Sequence, residues 1–201
     1  MLLGYVLFLV LVYLVAAFPF GLAVAVGHGV DPRQSGSCNT GATNVARLCG
    51  TRCGVTTLAL DLAKGLVPVL LARIMTDSVF FLTLTILAAV AGHMFSVFLD
   101  GKGGKGVATT IGVFLGAAPL PILIAAVLCL LVIKLTGYVS AGSLVLAVSL
   151  PFLVFFLGPR SLTLAALIVA AAVVWKHREN ITRLRAGQEK SWRKGCAQAA
   201  D

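Results

Sequence analysis

The chain has 201 residues, of which 59% are hydrophobic and only 11% are charged, and its formal net charge is +9. A mean hydropathy of +1.02 excludes a water-soluble domain of this length, because such a domain needs far more charged side chains to cover its surface. Segments without Asp, Glu, Lys or Arg, among them 1–30, 78–99 and 107–133, are long enough to cross a bilayer. The composition therefore predicts an all-α, polytopic integral membrane protein.

Apolar runs predict seven transmembrane helices, at 2–26, 53–74, 78–99, 106–118, 120–136, 140–157 and 161–177. The run 107–133 is the ambiguous one, since as a single helix it would be about 40 Å long against a hydrocarbon core of about 30 Å. Pro119 and Pro121 each remove a backbone donor and disfavour helix in the residue before them. We therefore predict a break there, between two short helices or within a re-entrant pair.

The distribution of Lys and Arg predicts which loops of this arrangement face the cytoplasm. With seven spans and the N-terminus outside, all of the 16 Lys and Arg residues except Lys64, Arg73 and Arg160 lie on or near the cytoplasmic side. Treating 107–133 as one span would move Lys134 and the basic tail outside, against the positive-inside rule. The net charge thus reports topology rather than nucleic-acid binding. We expect one membrane-embedded domain over residues 1–201, with cytoplasmic loops 27–52, 100–105 and 137–139 and a cytoplasmic tail 177–201.

The first of these loops contains a dense polar stretch, "SGSCNTGATNVAR", at 35–47. Its hydroxyls and amides offer hydrogen bonds to a ligand, its Arg offers a planar fork for phosphate, and its glycines allow close approach of the backbone. The alternative is a solvated connecting loop rich in turn residues. The candidate ligand-binding residues are Gly36, Ser37, Asn39, Gly41, Thr43, Asn44 and Arg47.

A second cluster, "GKGGKGVATT", begins at residue 101 and leads into a predicted helix. Glycines let backbone N–H groups approach an anion, and the N-terminus of a helix favours negative charge. Its candidate residues are Lys102, Gly103, Gly104, Lys105 and Gly106. A match to the G-x-G-x-x-G nucleotide pattern is accidental, because no strand precedes it. The alternative is a flexible loop with ordinary cytoplasmic lysines.

Ionisable residues inside the apolar segments form a further group. Asp61 and Lys64 stand three apart, so they share a helix face and are expected to pair, for structure or for function. His93 ends the third span, and a packing role is favoured for it. The five cysteines lack metal or redox spacing and predict free thiols.

The last cytoplasmic cluster spans the third loop and the end of the final helix. His177 and Asn180 lie three residues apart and are expected to reach one polar ligand together. Ser140 and Ser143 begin the sixth span, where a helix cap and a ligand donor are both open. No serine-hydrolase elbow, H-E-x-x-H or H-x4-D motif is present, and the seven acidic residues disfavour metal chemistry. No metal and no cofactor are expected.

Five motifs, "GSCNTGATNVAR", "LDLAKG", "GHMFSVFLDGKGGKGVATT", "GYVSAGS" and "HREN", resemble in order and spacing the bacterial acyl-phosphate-dependent glycerol-3-phosphate acyltransferases of the PlsY type. The resemblance covers nearly the whole chain. Two departures are Cys38, where the family has Gly, and Gly101, where it commonly has Phe.

The resemblance implies transfer of an acyl group from acyl phosphate to the 1-hydroxyl of glycerol 3-phosphate, giving lysophosphatidic acid and phosphate at the first step of phospholipid synthesis. It implies a bacterial cytoplasmic membrane enzyme whose site faces the cytoplasm, and an upstream acyl-phosphate-forming enzyme as a partner. Catalytic roles are expected for Ser37, Arg47, Lys105, His177 and Asn180. Phosphate binding is expected for the remaining loop residues named above and for Ser140.

Two other classes of protein compete with this reading. A transporter of a phosphate-bearing solute also points helix N-termini at anions. However, the chain shows no internal repeat, and its polar clusters are predicted on one membrane face, which disfavours a path across the bilayer. A purely structural membrane subunit leaves the glycine–lysine loop unexplained.

Overall fold

A computed structural model of the chain describes residues 2–192, and within that range all regular structure is helical. Arg193, Lys194 and Cys196, which the sequence places in the cytoplasmic tail, lie outside the described residues. The α-helices are α1 Leu2–Ala17, α2 Phe20–Val26, α3 Ala42–Cys49, α4 Thr51–Met75, α5 Val79–Met94, α6 Val107–Ala117, α7 Pro119–Thr136, α8 Val139–Leu157, α9 Thr163–Lys176 and α10 Arg178–Arg185.

The predicted break near Pro119 is present. Helix α6 ends at Ala117, Ala118 leaves the helical conformation, and α7 begins at Pro119. Helix α6 is 11 residues long, about 16 Å, which is roughly half of a hydrocarbon core. In the part of the chain that the structure describes, five helical segments are long and apolar enough to cross a membrane, or six if a bent pair counts as one span. Seven spans and the orientation of the termini remain predictions.

The first predicted span is interrupted, although the sequence pattern suggested one helix over 2–26. Pro19 lacks the N–H that would continue the helix, so α1 stops at Ala17 and α2 starts at Phe20. The carbonyl groups released at the break are capped from elsewhere. Ser96 Oγ donates to the carbonyl of Ala17 at 2.5 Å, and Lys64 Nζ donates to that of Phe18 at 3.1 Å.

The chain divides into two compact units, Met1–Ala117 and Ala118–Asp201. In the first, α4 and α6 pack closely because glycines face the neighbouring backbone. A Cβ on Gly65 would overlap the carbonyl of Thr109, and one on Gly112 would overlap that of Leu62. Thr109 Oγ1 also donates to the carbonyl of Asp61 at 3.1 Å. Small residues and interhelical hydrogen bonds of this kind hold helices together in lipid.

The second unit is built from α7 to α10. Gly142 of α8 lies against the carbonyl of Cys129 on α7, with no room for a Cβ, so these two helices also approach closely. Helix α9 is followed directly by α10, and the two are bent by 57° at His177. This bend places the polar helix α10 off the axis of its apolar neighbour. The single-domain organisation stays a prediction.

Candidate active site

The first polar loop is organised around the side chain of Asn44, which is buried. Its Nδ2 donates to the carbonyls of Pro32, Ser35 and Asn39 at 3.0, 3.1 and 2.9 Å. Its Oδ1 accepts the backbone N–H of Ser37 at 2.8 Å. One amide therefore ties together backbone groups spread over the whole loop, so Asn44 shapes the loop from within.

Two residues of this loop have positive φ angles. Gly36 has φ +68°, and a Cβ there would overlap the Asn44 amide, so only glycine fits. Cys38 has φ +54°, which is an uncommon conformation for a residue with a Cβ, and its side chain is exposed. Asn39 Oδ1 accepts the N–H of Gly41 at 2.9 Å, which closes the turn into α3. Arg47 and Thr43 follow on α3, both half-buried.

The glycine–lysine loop is packed on the C-terminal end of α5. A Cβ on Gly103 would overlap the carbonyl oxygen of His93, and one on Gly104 would overlap the imidazole Nε2 of the same residue. Gly106 has φ +80° and lies against Met94. The glycines are therefore required where the loop touches α5. Lys102 is exposed and Lys105 is half-buried.

A buried charged group lies beneath this loop. Lys64 Nζ is 2.8 Å from Asp61 Oδ1, which confirms the predicted pair, and both side chains are no more than 4% exposed. His93 Nδ1 is 3.7 Å from the same carboxylate oxygen. Lys64 also lies over the ring of Phe20, with Nζ 5.5 Å from the centroid. Opposite charges this close offset the cost of burying each other.

These features of the first unit meet in one cleft. Thr40 from the first loop, Gly103 and Gly104 from the second, and Asp61, Lys64, His93 and Ser96 from the helices all line it. One residue of the first polar loop and two glycines of the glycine–lysine loop therefore line a small cleft beside the Asp61–Lys64 pair. Sequence reasoning favoured a packing role for His93 and did not single out Ser96; their lack of any motif spacing explains why.

In the second unit, His177 and Asn180 are both buried at the bend between α9 and α10. The Nδ1 of His177 is 2.8 Å from the carbonyl of Val173. Because a carbonyl only accepts, Nδ1 of His177 carries a proton and donates it to this carbonyl. His177 is the junction residue between α9 and α10, and Asn180 lies in the first turn of α10; that the two reach one ligand stays a prediction.

Ser140 lies in the first turn of α8 but does not cap it, since the N-cap position is Tyr138 and no side chain caps the helix. Its Oγ instead donates to Glu189 Oε1 at 2.7 Å. Ser143 Oγ donates to the carbonyl of Val139 at 2.9 Å. Capping is therefore wrong for both serines, because Tyr138 occupies the N-cap position and no side-chain hydrogen bond caps the helix.

Glu189 is a residue that sequence reasoning missed. Its carboxylate accepts from Ser140, from Asn180 Nδ2 at 2.6 Å and from Arg183 Nε at 2.7 Å. Burial raises the pKa of this carboxyl, but the three hydrogen bonds and the charge of Arg183 outweigh it and hold the pKa below its ordinary value. The available signal was a lone acidic residue within the basic tail "RLRAGQEKSWRK".

The predicted site residues thus fall into two sets. The first unit holds Gly36, Ser37, Asn39, Gly41, Thr43, Asn44, Arg47, Lys102, Gly103, Gly104, Lys105 and Gly106, and the second holds Ser140, His177 and Asn180. Four cysteines in the described range are free thiols, as predicted: Cys38, Cys49, Cys53 and Cys129. Together, these features define an integral membrane protein whose polar side chains are gathered in short loops and helix ends.

The chain belongs to the glycerol-3-phosphate acyltransferase family, whose model matches residues 6–187. The glycerol-3-phosphate acyltransferase of Solidesulfovibrio magneticus is 68% identical over 194 residues, covering 96% of this chain and 98% of the relative. That of Desulfovibrio desulfuricans is 50% identical over 190 residues, covering 94% and 85%. The chain is therefore an acyltransferase, which sets aside the transporter reading.

Two solved structures are similar over the same extent. The crystal structure of PlsY, an integral membrane glycerol 3-phosphate acyltransferase, in its glycerol 3-phosphate form has a TM-score of 0.89 and 38% identity, covering 94% of this chain and 95% of that one. Its lysophosphatidic acid form has a TM-score of 0.87 and 37% identity at the same coverage. The helical membrane fold predicted from composition is confirmed.

Proposed function

We propose that this acyltransferase takes its acyl group from acyl phosphate and transfers it to the 1-hydroxyl of glycerol 3-phosphate, giving lysophosphatidic acid and inorganic phosphate. The observation that carries the proposal is the small cleft of the first unit, which Thr40 of the first polar loop lines together with Gly103 and Gly104 of the glycine–lysine loop and with Lys64. Both substrates carry a phosphate, and the acyl tail requires a bilayer. The PlsY structures with glycerol 3-phosphate and lysophosphatidic acid support the acceptor and the product.

Within the first unit, Ser37, Asn39, Thr43 and Arg47 bind phosphate, with Gly36 and Gly41 giving the backbone room. Asn44 holds this loop in shape, because its amide is engaged by the loop backbone. Lys102 and Lys105 supply positive charge, and N–H groups from Gly103, Gly104 and Gly106 approach the anion. An acyl phosphate already has a good leaving group, so positioning and charge neutralisation supply most of the catalysis.

Within the second unit, His177 and Asn180 bind the glycerol moiety. We assign the hydroxyl proton to a phosphate oxygen of a substrate and give His177 a binding role. The variant His177→Gln is then expected to keep near-normal turnover at saturating glycerol 3-phosphate. A loss of about a thousandfold in kcat with unchanged substrate affinity would instead make His177 the general base.

The enzyme is proposed to lie in the bacterial cytoplasmic membrane with these residues facing the cytoplasm. Such a position gives access to water-soluble glycerol 3-phosphate and to an upstream enzyme that forms acyl phosphate. The basic loops 27–52 and 100–105 and the basic tail support this orientation through the positive-inside rule.

The proposal is tested by phosphate release from purified full-length protein in micelles. Release is expected only when acyl phosphate and glycerol 3-phosphate are both present; activity with acyl-CoA in place of acyl phosphate would overturn the donor. Arg47→Gln is expected to lower kcat/KM about a hundredfold, the usual effect of removing a charged donor from a developing anion. The matched control is Arg52→Gln, an exposed arginine shortly after it in the chain, which should stay within about twofold.

A further inference from the structure

One side of α9 is apolar and exposed along the whole helix. The exposed positions recur every three or four residues, so they share one side, at Leu164, Leu167, Ile168, Ala171 and Trp175. The other side is buried and carries Ala165, Val169 and Val173. Apolar side chains left exposed on a helix of an integral membrane protein contact the hydrocarbon of the bilayer. The exposed side of α9 is therefore its lipid-facing side.

Trp175 lies where this lipid-facing side ends. Its side chain is 51% exposed. Lys176 follows it directly, and Arg178 is exposed just after the bend at His177. Tryptophan is enriched at the boundary between hydrocarbon and lipid headgroups, because its ring is apolar and its N–H is polar. The order of an apolar side, an indole and two cations places this end of α9 at the level of the headgroups.

Two cations lie over the one indole ring. The guanidinium Cζ of Arg178 is 4.6 Å from the centroid of the Trp175 ring, and Nζ of Lys176 is 5.7 Å from it. Both distances are within the roughly 6 Å over which a ring attracts a cation. Arg178 Nη1 also donates to the carbonyl of Trp175 at 3.4 Å. The Arg178 side chain is therefore turned back onto the end of the lipid-facing side instead of extending into water.

This arrangement suits a phosphate group. Two positive charges gathered at one ring repel each other, and an anion beside them offsets the repulsion. In the part of the chain that the structure describes, Glu179, the next residue, forms no ion pair, so its carboxylate does not neutralise Arg178 directly. A phosphate accepts from a guanidinium fork and from an ammonium group. At the level of the headgroups such phosphates belong to phospholipids, and an anionic phospholipid also has a net negative charge.

We propose that Trp175, Lys176 and Arg178 form a binding site for the headgroup of an anionic phospholipid, whose acyl chains lie along the lipid-facing side of α9. The site is distinct from the residues proposed to act on substrate, because His177 is buried and its ring bonds to Val173 on the other side of α9. The inference holds whatever the acyl donor is, since it concerns a lipid of the bilayer and not a reactant.

The fluorescence of Trp175 tests this site. The chain has two tryptophans, so Trp192→Phe leaves Trp175 as the single indole. The full chain with this substitution is reconstituted into phosphatidylcholine vesicles containing a minor share of brominated phosphatidylglycerol, or the same share of brominated phosphatidylcholine. Bromine on an acyl chain quenches a neighbouring indole. We expect the anionic lipid to bind at least about fivefold more tightly, the factor for one cation near a membrane surface. Equal quenching by the two lipids overturns the proposal.

Variants test whether these two cations cause the preference. Lys176→Gln/Arg178→Gln is expected to bring the two lipids to within about twofold of each other, because both cations near the surface are lost. The matched control, Lys134→Gln/Arg185→Gln, removes two other exposed cations of the same unit and should keep the preference. An equal loss in the control would mean that only net charge matters, and the site would be refuted. If the first double variant does not fold, Arg178→Gln alone carries the test, with a partial loss expected.

Competitors identify the occupant, since free phosphate and acyl phosphate share the chemistry of the headgroup. Excess inorganic phosphate is expected to leave the quenching unchanged, and reversal would make this a site for soluble anions. A long-chain alkylphosphonate, which is a stable analogue of acyl phosphate, should displace the brominated lipid no better than unlabelled phosphatidylglycerol does. Much stronger displacement would make the acyl donor the occupant and would refute the assignment to phospholipid.

Discussion

At the scale of single residues, the first loop shows how similar side chains take different roles. Asn39 and Asn44 are both amides in one polar stretch, and the sequence offers both as ligands. The Asn44 side chain is buried and engages four backbone groups, whereas the Asn39 side chain is half-buried and accepts from the N–H of Gly41. Such a difference follows from burial, which is decided by how the loop folds back on itself.

Cys38 gives the first prediction at this scale. Its φ of +54° costs a residue with a Cβ about 1 kcal/mol or more, whereas glycine adopts this conformation freely. We expect Cys38→Gly to keep or raise activity and to leave or raise thermal stability, measured by phosphate release and by the unfolding temperature in micelles. Cys38→Ser is the control, since it removes the thiol but keeps the Cβ. A sharp loss of activity in both variants would show that the thiol is used.

At the scale of elements, the glycine–lysine loop is defined by what it packs on. Sequence reasoning attributed its glycines to close approach of an anion. The structure adds a second reason, because Gly103 and Gly104 rest directly on His93 at the end of α5. The loop is thus held in place by its contact with His93, and His93 in turn lies next to the Asp61–Lys64 pair.

This packing predicts a graded effect of alanine substitutions. At Gly103 a Cβ meets a main-chain carbonyl that cannot move aside, whereas at Gly104 it meets the His93 side chain. We expect Gly103→Ala to lower kcat/KM at least tenfold, since a displaced loop loses its alignment with substrate, and Gly104→Ala to have a smaller effect. Gly4→Ala, where a Cβ meets open space, is the control. Wild-type activity in Gly103→Ala would contradict the close packing.

At the scale of the whole molecule, the predicted number of membrane spans depends on whether α6 counts as a crossing. Helix α6 is too short to cross a hydrocarbon core unaided, yet counting it as a crossing keeps the basic loops on one side. A polar loop next to a short helix is tolerated at membrane depth only where protein or water covers it. Helix α4, which packs closely against α6, provides such cover within the first unit.

Reporter fusions test the seven-span arrangement. Alkaline phosphatase, which is active only outside the cytoplasm, is expected to be active when fused after Asp77 and inactive after Tyr138 and at the C-terminus. A fluorescent protein that matures only in the cytoplasm should show the reverse pattern. Phosphatase activity after Tyr138 would mean that α6 and α7 make a single crossing, and the positive-inside argument would then fail for Lys134.

The sequence by itself determined the membrane class, the positions of the long apolar segments and the break at Pro119, because hydrophobicity over about 20 residues and the missing N–H of proline are local properties. It also located the polar loops, since polar residues are conspicuous in an apolar chain. Only the tertiary structure decided that His93 supports the glycine loop and that the Ser140 hydroxyl donates to Glu189. Residues 140 and 189 are distant in the chain, and their contact depends on the bend at His177 and the turn at Gly187, which no local pattern specifies.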